Sequence, residues 1–132
     1  MTKNKILTAL LIALVLFICI ASANAADADD ADTLIFDEID TGVSGSAAQK
    51  IAKKLKNLSS KKQVICVSHQ PQLAVVADEH LLIRKSLKGN RTTTSLQKLD
   101  KDGRVREVAR IIDGENPSDA ALAHAREMLK DA

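Results

Sequence analysis

At 132 residues, 45% of them apolar, the chain has room for one domain with a modest core. Its 19 basic and 17 acidic residues leave a net charge of +2, which argues neither for nor against nucleic acid as a partner. With no Trp and no Tyr it lacks the stacking platforms of many single-strand binders.

Residues 1–25 read as a secretory leader. Lys3 and Lys5 precede an apolar run from Ile6 to Ile20, and the small residues that follow place Ala23 and Ala25 at leader-peptidase spacing. The run is short for a membrane span, which needs about 20 residues. Phe17 and Ile18 are too bulky to make Cys19 a lipobox cysteine. Loss of the leader would remove two lysines and no acids, which brings the remaining charges into balance. It would also leave Cys66 alone, with no intramolecular disulfide and no metal cluster possible. Cys66 lies in the apolar stretch Val64 to Val67, where a small buried role is expected.

Residues 26–32, alternating Ala and Asp, form an acidic linker. Thr33 to Asp37 reads as a strand, with Leu34 to Phe36 suited to a parallel sheet covered on both faces. Asp37 and Glu38 then leave the sheet at its carboxyl edge, where open α/β sheets place their ligands. Adjacent carboxylates there suit a nucleotide–magnesium site: Asp37 for the metal, Glu38 to orient and deprotonate a water. The competing reading is two solvated acids. Asp40 to Gly45 is a loop, with Ser44 or Ser46 capping the next helix. Ala48, Ile51, Ala52, Leu55 and Leu58 give residues 47–58 one apolar helical face, with lysines outward. Lys50, Lys53, Lys54, Lys56, Lys61 and Lys62 make a basic stretch whose commonest meaning is a solvated face.

Gln63 to Ser68 reads as a second buried strand, so strand, helix and strand form a parallel crossover unit. His69 leaves this strand at the same edge as the acids, and Pro71 opens a short helix over residues 70–77. Residues 80–87 and 92–99 alternate as strands around a turn at Lys88-Gly89-Asn90-Arg91. Asp100 to Gly103 reads as a further turn. Val105, Val108, Ala109, Ile111 and Ile112 mark a helix that Gly114 terminates, and Pro117 and Ser118 open a last one. His80 and His124 have no neighbours that suggest chemistry.

Together, Leu34-Ile35-Phe36-Asp37-Glu38-Ile39-Asp40-Thr41-Gly42-Val43-Ser44-Gly45 and Val67-Ser68-His69-Gln70-Pro71-Gln72-Leu73-Ala74 are far more specific than either alone. The combination resembles the carboxy-terminal end of RecN, a bacterial DNA-repair ATPase family related to SMC proteins and, more remotely, to ABC ATPases. The resemblance runs over residues 33–132. It implies an α/β fold, the carboxy-terminal lobe of a P-loop NTPase head: parallel strands with a crossover helix, then a β-hairpin and two helices. It also implies roles. Asp37 and Glu38 correspond to the Walker B pair, magnesium ligand and catalytic base. Asp40, Gly42, Ser44 and Gly45 lie in the D-loop, which meets the nucleotide and the partner head. His69 corresponds to the switch histidine that senses the γ-phosphate. ATP and Mg²⁺ are the implied cofactors. A second head or an amino-terminal lobe, and DNA, are the implied partners.

The departures carry equal weight. No glycine is followed by the Lys-Ser/Thr of a Walker A loop, which cradles phosphates through backbone amides and a lysine. No signature motif precedes the first strand, and there are no coiled-coil heptads. The chain is therefore expected to be a partial ATPase head that does not hydrolyse ATP alone. The alternative is a small exported interaction protein that keeps the fold without the chemistry. The family's cytoplasmic setting and the leader's export signal conflict.

Overall fold

The computed structural model describes residues 30–88 and 91–132, which divide between Val76 and Ala77 into two compact units. The leader, linker residues 26–29 and the two central hairpin residues expected above lie outside the described residues. Among the described residues no helix is long and apolar enough to cross a membrane.

The first unit contains β1 (Thr33–Asp37), α1 (Gly45–Ser59), β2 (Gln63–Val67) and α2 (Pro71–Val76). β1 and β2 pair in parallel, in register from Thr33 opposite Gln63 to Asp37 opposite Val67. A parallel pair needs a long crossover, and α1 supplies it. Its apolar stripe buries Ala47, Ala48, Ile51, Ala52, Leu55 and Leu58. Phe36, Val64 and Cys66 pack against that stripe, together with Val43, Ile39 and α2's Leu73 and Val76. Each large side chain fully buried there contributes about 1.5–3 kcal/mol, so this layer holds the unit together.

The expectation of a sheet covered on both faces is corrected. Side chains alternate across a strand, and α1 covers only the face that carries Phe36, Val64 and Cys66. On the other face Ile35, Ile65 and Val67 remain 70%, 45% and 47% exposed. A run of apolar residues reports suitability for burial, not the presence of a covering layer.

Local boundaries shift for identifiable reasons. Ser44 holds the N-cap position of α1 in extended conformation, but its side chain makes no capping hydrogen bond. Helix α1 starts two residues before Ala47. β2 ends at Val67, and Ser68 is already in the loop. α2 is shorter than residues 70–77, and Pro71 takes its first position, where a missing N–H costs nothing.

The second unit contains β3 (Leu81–Lys88), β4 (Arg91–Lys98), α3 (Lys101–Asp113) and α4 (Asp119–Lys130). β3 and β4 form an antiparallel hairpin from Leu81 opposite Lys98 to Lys88 opposite Arg91. The Leu99 N–H donates to the His80 carbonyl at 2.9 Å, extending the ladder by the residue pair expected at the strand ends. Asp100 to Gly103 is not a separate turn. Asp100 is the N-cap of α3, and its side chain accepts the Gly103 N–H at 2.7 Å. A Cβ at Gly103 would lie 2.9 Å from Asp100 Oδ1, so glycine here admits the cap instead of breaking the helix. Gly114 ends α3 at φ +90°, as expected, and the Ser118 side chain caps α4 by accepting the Ala121 N–H at 3.3 Å. The two helices pack through Val108, Ala109, Ala121 and Ala125. Buried Glu107 is held by a forked contact from Arg110, at 2.7 and 3.0 Å.

Candidate nucleotide-site edge

Parallel pairing puts the carboxyl ends of β1 and β2 side by side. Asp37 stands opposite Val67, and the Glu38 N–H donates to the Val67 carbonyl at 3.0 Å, one bond beyond the sheet. The chain then reverses through two tight turns. Thr41 N–H donates to the Glu38 carbonyl at 3.1 Å, and Val43 N–H to the Asp40 carbonyl at 3.0 Å. Gly42 takes φ +75° within the second turn, a conformation that favours glycine. Glu38 itself sits at φ +49°, where an L residue with a side chain is strained by about 1–2 kcal/mol. Asp37 and Glu38 are both exposed at this edge. Ser44 and Gly45 are exposed at the start of α1.

His69 leaves β2 at the same edge and is exposed. The parallel pair thus brings Asp37, Glu38, the 40–45 loop and His69 to one end of the unit. Asp40 departs from its expected placement. Although it lies in the loop expected to meet nucleotide and a partner head, its side chain is fully buried. Ser68, which the sequence did not single out, is the reason. Its hydroxyl donates to Asp40 Oδ2 at 2.6 Å and accepts the Gln70 N–H at 2.9 Å. Asp40 Oδ2 also lies 3.9 Å from His69 Nδ1, while Asp40 Oδ1 is buried without a hydrogen-bond partner. The only hint in the sequence was a hydroxyl residue directly before the strand-end histidine. Its partner is 28 residues away, a separation no local pattern reveals.

Beneath the edge, Cys66 is half-buried. Burial, and then the nearby Asp40 charge, push its thiol from the ordinary 9.0 to about 11. Little of it is thiolate at neutral pH, which suits the packing role that its apolar setting suggested.

The donor set can be tested against magnesium. Among the described residues no group of three His, Cys, Asp or Glu side chains could hold a metal ion. Mg²⁺ is ordinarily held by one or two carboxylates, with substrate phosphates and waters completing its shell. A single exposed carboxylate, Asp37, fits that mode and does not fit a dedicated protein cage.

Two parallel strands joined by a helix, acids and a histidine on their shared edge, and a following hairpin and helix pair define a class: the carboxy-terminal lobe of a P-loop NTPase head. A solved SMC ATPase, described in work on ATP-driven dimerization and DNA-stimulated activation of SMC ATPases, shares this fold. Its TM-score is 0.53 over 67% of this chain and 52% of that one, at 18% identity. No family model matches the chain. Among curated proteins, the DNA repair protein RecN of Bacillus subtilis is 48% identical over 103 residues, 78% of this chain and 18% of that protein. RecN of Treponema pallidum is 43% identical over 102 residues, again 18% of that protein, and RecN of Vibrio cholerae 40% over 100 residues. The chain belongs to the RecN family. The matched stretch spans under a fifth of these curated relatives, at 18% of each.

Proposed function

We propose that residues 33–132 are the distal lobe of an ATP-hydrolysing head in a RecN-type protein that acts in DNA repair. The observation that carries this reading is the shared strand edge, where Asp37, Glu38 and His69 stand together in a sequence 48% identical to RecN over 103 residues. Asp37 would hold Mg²⁺, which on binding neutralises charge on the phosphates of ATP. Glu38 is the base. Its exposed carboxylate, on a backbone turned sharply out of the sheet, is free to orient and deprotonate a water beyond the strand end. Gly42, Ser44 and Gly45 line the loop that faces nucleotide and a second head. His69 reads the terminal phosphate.

Half of the chemistry lies elsewhere. The chain offers no phosphate-cradling loop with its lysine, so ATP needs an amino-terminal lobe, and a second head completes the site. The uncovered Ile35, Ile65 and Val67 face is consistent with a unit that packs against more protein. DNA is the partner the RecN name implies, and the lysines on α1 and after it are the residues to test for contact.

Nucleotide binding tests this reading. The 132-residue chain alone should neither bind nor hydrolyse magnesium-ATP. Mixed with a separately produced RecN amino-terminal lobe, it should bind a non-hydrolysable ATP analogue, and Asp37→Asn should weaken that binding. A mixture that associates yet gains no nucleotide binding would refute the assignment.

A further inference from the structure

Buried carboxylates are rare unless paired, and Asp40 is fully buried with only one of its two oxygens hydrogen-bonded. Its position is also unusual in chain terms. It stands in the loop after β1, yet its partner Ser68 stands in the loop after β2. The Ser68 hydroxyl uses its single proton on Asp40 and accepts from Gln70 N–H, so it is committed on both sides. The two loops at the candidate site are therefore tied through one side-chain contact.

The same carboxylate faces the histidine. His69 Nδ1 is 3.9 Å from Asp40 Oδ2, and a closer approach of about 1 Å would make a hydrogen bond. Which nitrogen of a histidine carries the proton is set by what the other nitrogen meets. A carboxylate accepts and cannot donate, so the ring nitrogen beside it is the one that keeps its hydrogen.

We propose that Asp40 is a positioning residue: the Ser68-anchored carboxylate holds His69 with Nδ1–H toward the protein and Nε2 toward the ligand. Nε2 is then the atom offered to a phosphate or to the water beside it. In the neutral ring this nitrogen accepts a hydrogen bond from the ligand, and in the imidazolium it donates one. Because Ser68 ties the two loops, a displacement of the 40–45 loop by a partner head is transmitted to the histidine. The functional half of this inference rests on the ATPase reading above, while the tautomer does not.

The chain has three histidines, and nitrogen-resolved NMR of their imidazoles at about pH 8.5, above the ordinary histidine range, reads each tautomer directly. His69 is assigned by the signal lost in His69→Gln. The expected result is a majority Nδ1–H form for His69 in the unaltered chain. Asp40→Asn, whose amide nitrogen can donate toward the ring, should move His69 to majority Nε2–H with His80 and His124 unchanged. A majority Nε2–H form in the unaltered chain overturns the proposal, and that result stands even if Asp40→Asn fails to fold. In a RecN whose corresponding segment is replaced by residues 33–132, Asp40→Asn should lower kcat for ATP by at least about tenfold with KM little changed. Equal turnover by this variant and its parent also overturns the proposal. Absence of turnover in the parent chimera would instead count against the ATPase reading.

Discussion

Cys66 gives the most quantitative prediction, because its surroundings raise its thiol from 9.0 to about 11. The perturbation is pH, applied to a Cys19→Ser chain so that Cys66 is the sole thiol. Only the thiolate reacts with alkylating agents. At pH 8 a thiol of the ordinary value is about one-tenth ionised, whereas one raised as far as Cys66 is about one-thousandth ionised. The folded chain should therefore react with iodoacetamide about a hundredfold more slowly than the same chain in urea. The stability consequence has a definite sign. The folded state holds the proton more tightly than the unfolded state, so its stability is full below pH 9 and is lost as pH rises toward 11. A fully buried group with this change would lose about 2.7 kcal/mol, and the half-exposed sulfur reduces that to about 1–2 kcal/mol. The assay is the alkylation rate followed by intact mass from pH 7 to 11, with urea unfolding curves at pH 8 and 10.5. Asp40→Asn, which removes the second cause, should move the rate profile to lower pH. A folded-chain profile with its midpoint near 9, or unfolding curves independent of pH across this range, would refute the described placement of Cys66.

Three further outcomes follow from the second unit. Val108 is fully buried between α3 and α4, so Val108→Ala should cost about 2–3 kcal/mol, seen as a lower urea midpoint for loss of helix. Gly114 ends α3 at φ +90°, so Gly114→Ala should destabilise by about 1 kcal/mol in the same assay, and no loss would mean that the cap is not formed. His80 is lowered from the ordinary 6.5, chiefly by burial, which outweighs the opposing pull of Glu107, with Arg104 adding to the lowering. Its unfolded form takes up protons first, so stability should decline as pH falls below about 6.5, and His80→Gln should flatten that decline.

Much of this was legible in the sequence, and the reasons are specific. The spacing of Ile51, Leu55 and Leu58 announced α1, and the strand–helix–strand order forced parallel pairing, which by itself brought His69 to the same sheet edge as Asp37 and Glu38. Gly114 and Ser118 marked helix ends because their backbone and side-chain chemistry acts within a few residues. What was illegible depends on distance or on absence. Ser68 meets Asp40 across 28 residues, so the burial of Asp40 could not be read from its loop. The exposure of Ile35 depends on what packs against the sheet, which an apolar strand cannot announce. Asp100 to Gly103 looked like a turn because Asp and Gly serve turns and N-caps equally well, and only the Gly103 N–H to Asp100 bond separates the two. Glu38 at positive φ breaks the local rule for non-glycine residues, and it does so at the position assigned to the catalytic base.

The edge bearing Asp37, Glu38 and His69 is proposed to be half of a working ATP site. Exchange of residues 33–132 for the corresponding segment of Bacillus subtilis RecN, followed by steady-state magnesium-ATP hydrolysis, tests it most directly. Turnover within about tenfold of the parent is expected, with Glu38→Gln lowering kcat by about a hundredfold or more. A chimera that folds and binds ATP yet shows no turnover, or one indifferent to Glu38→Gln, would contradict it.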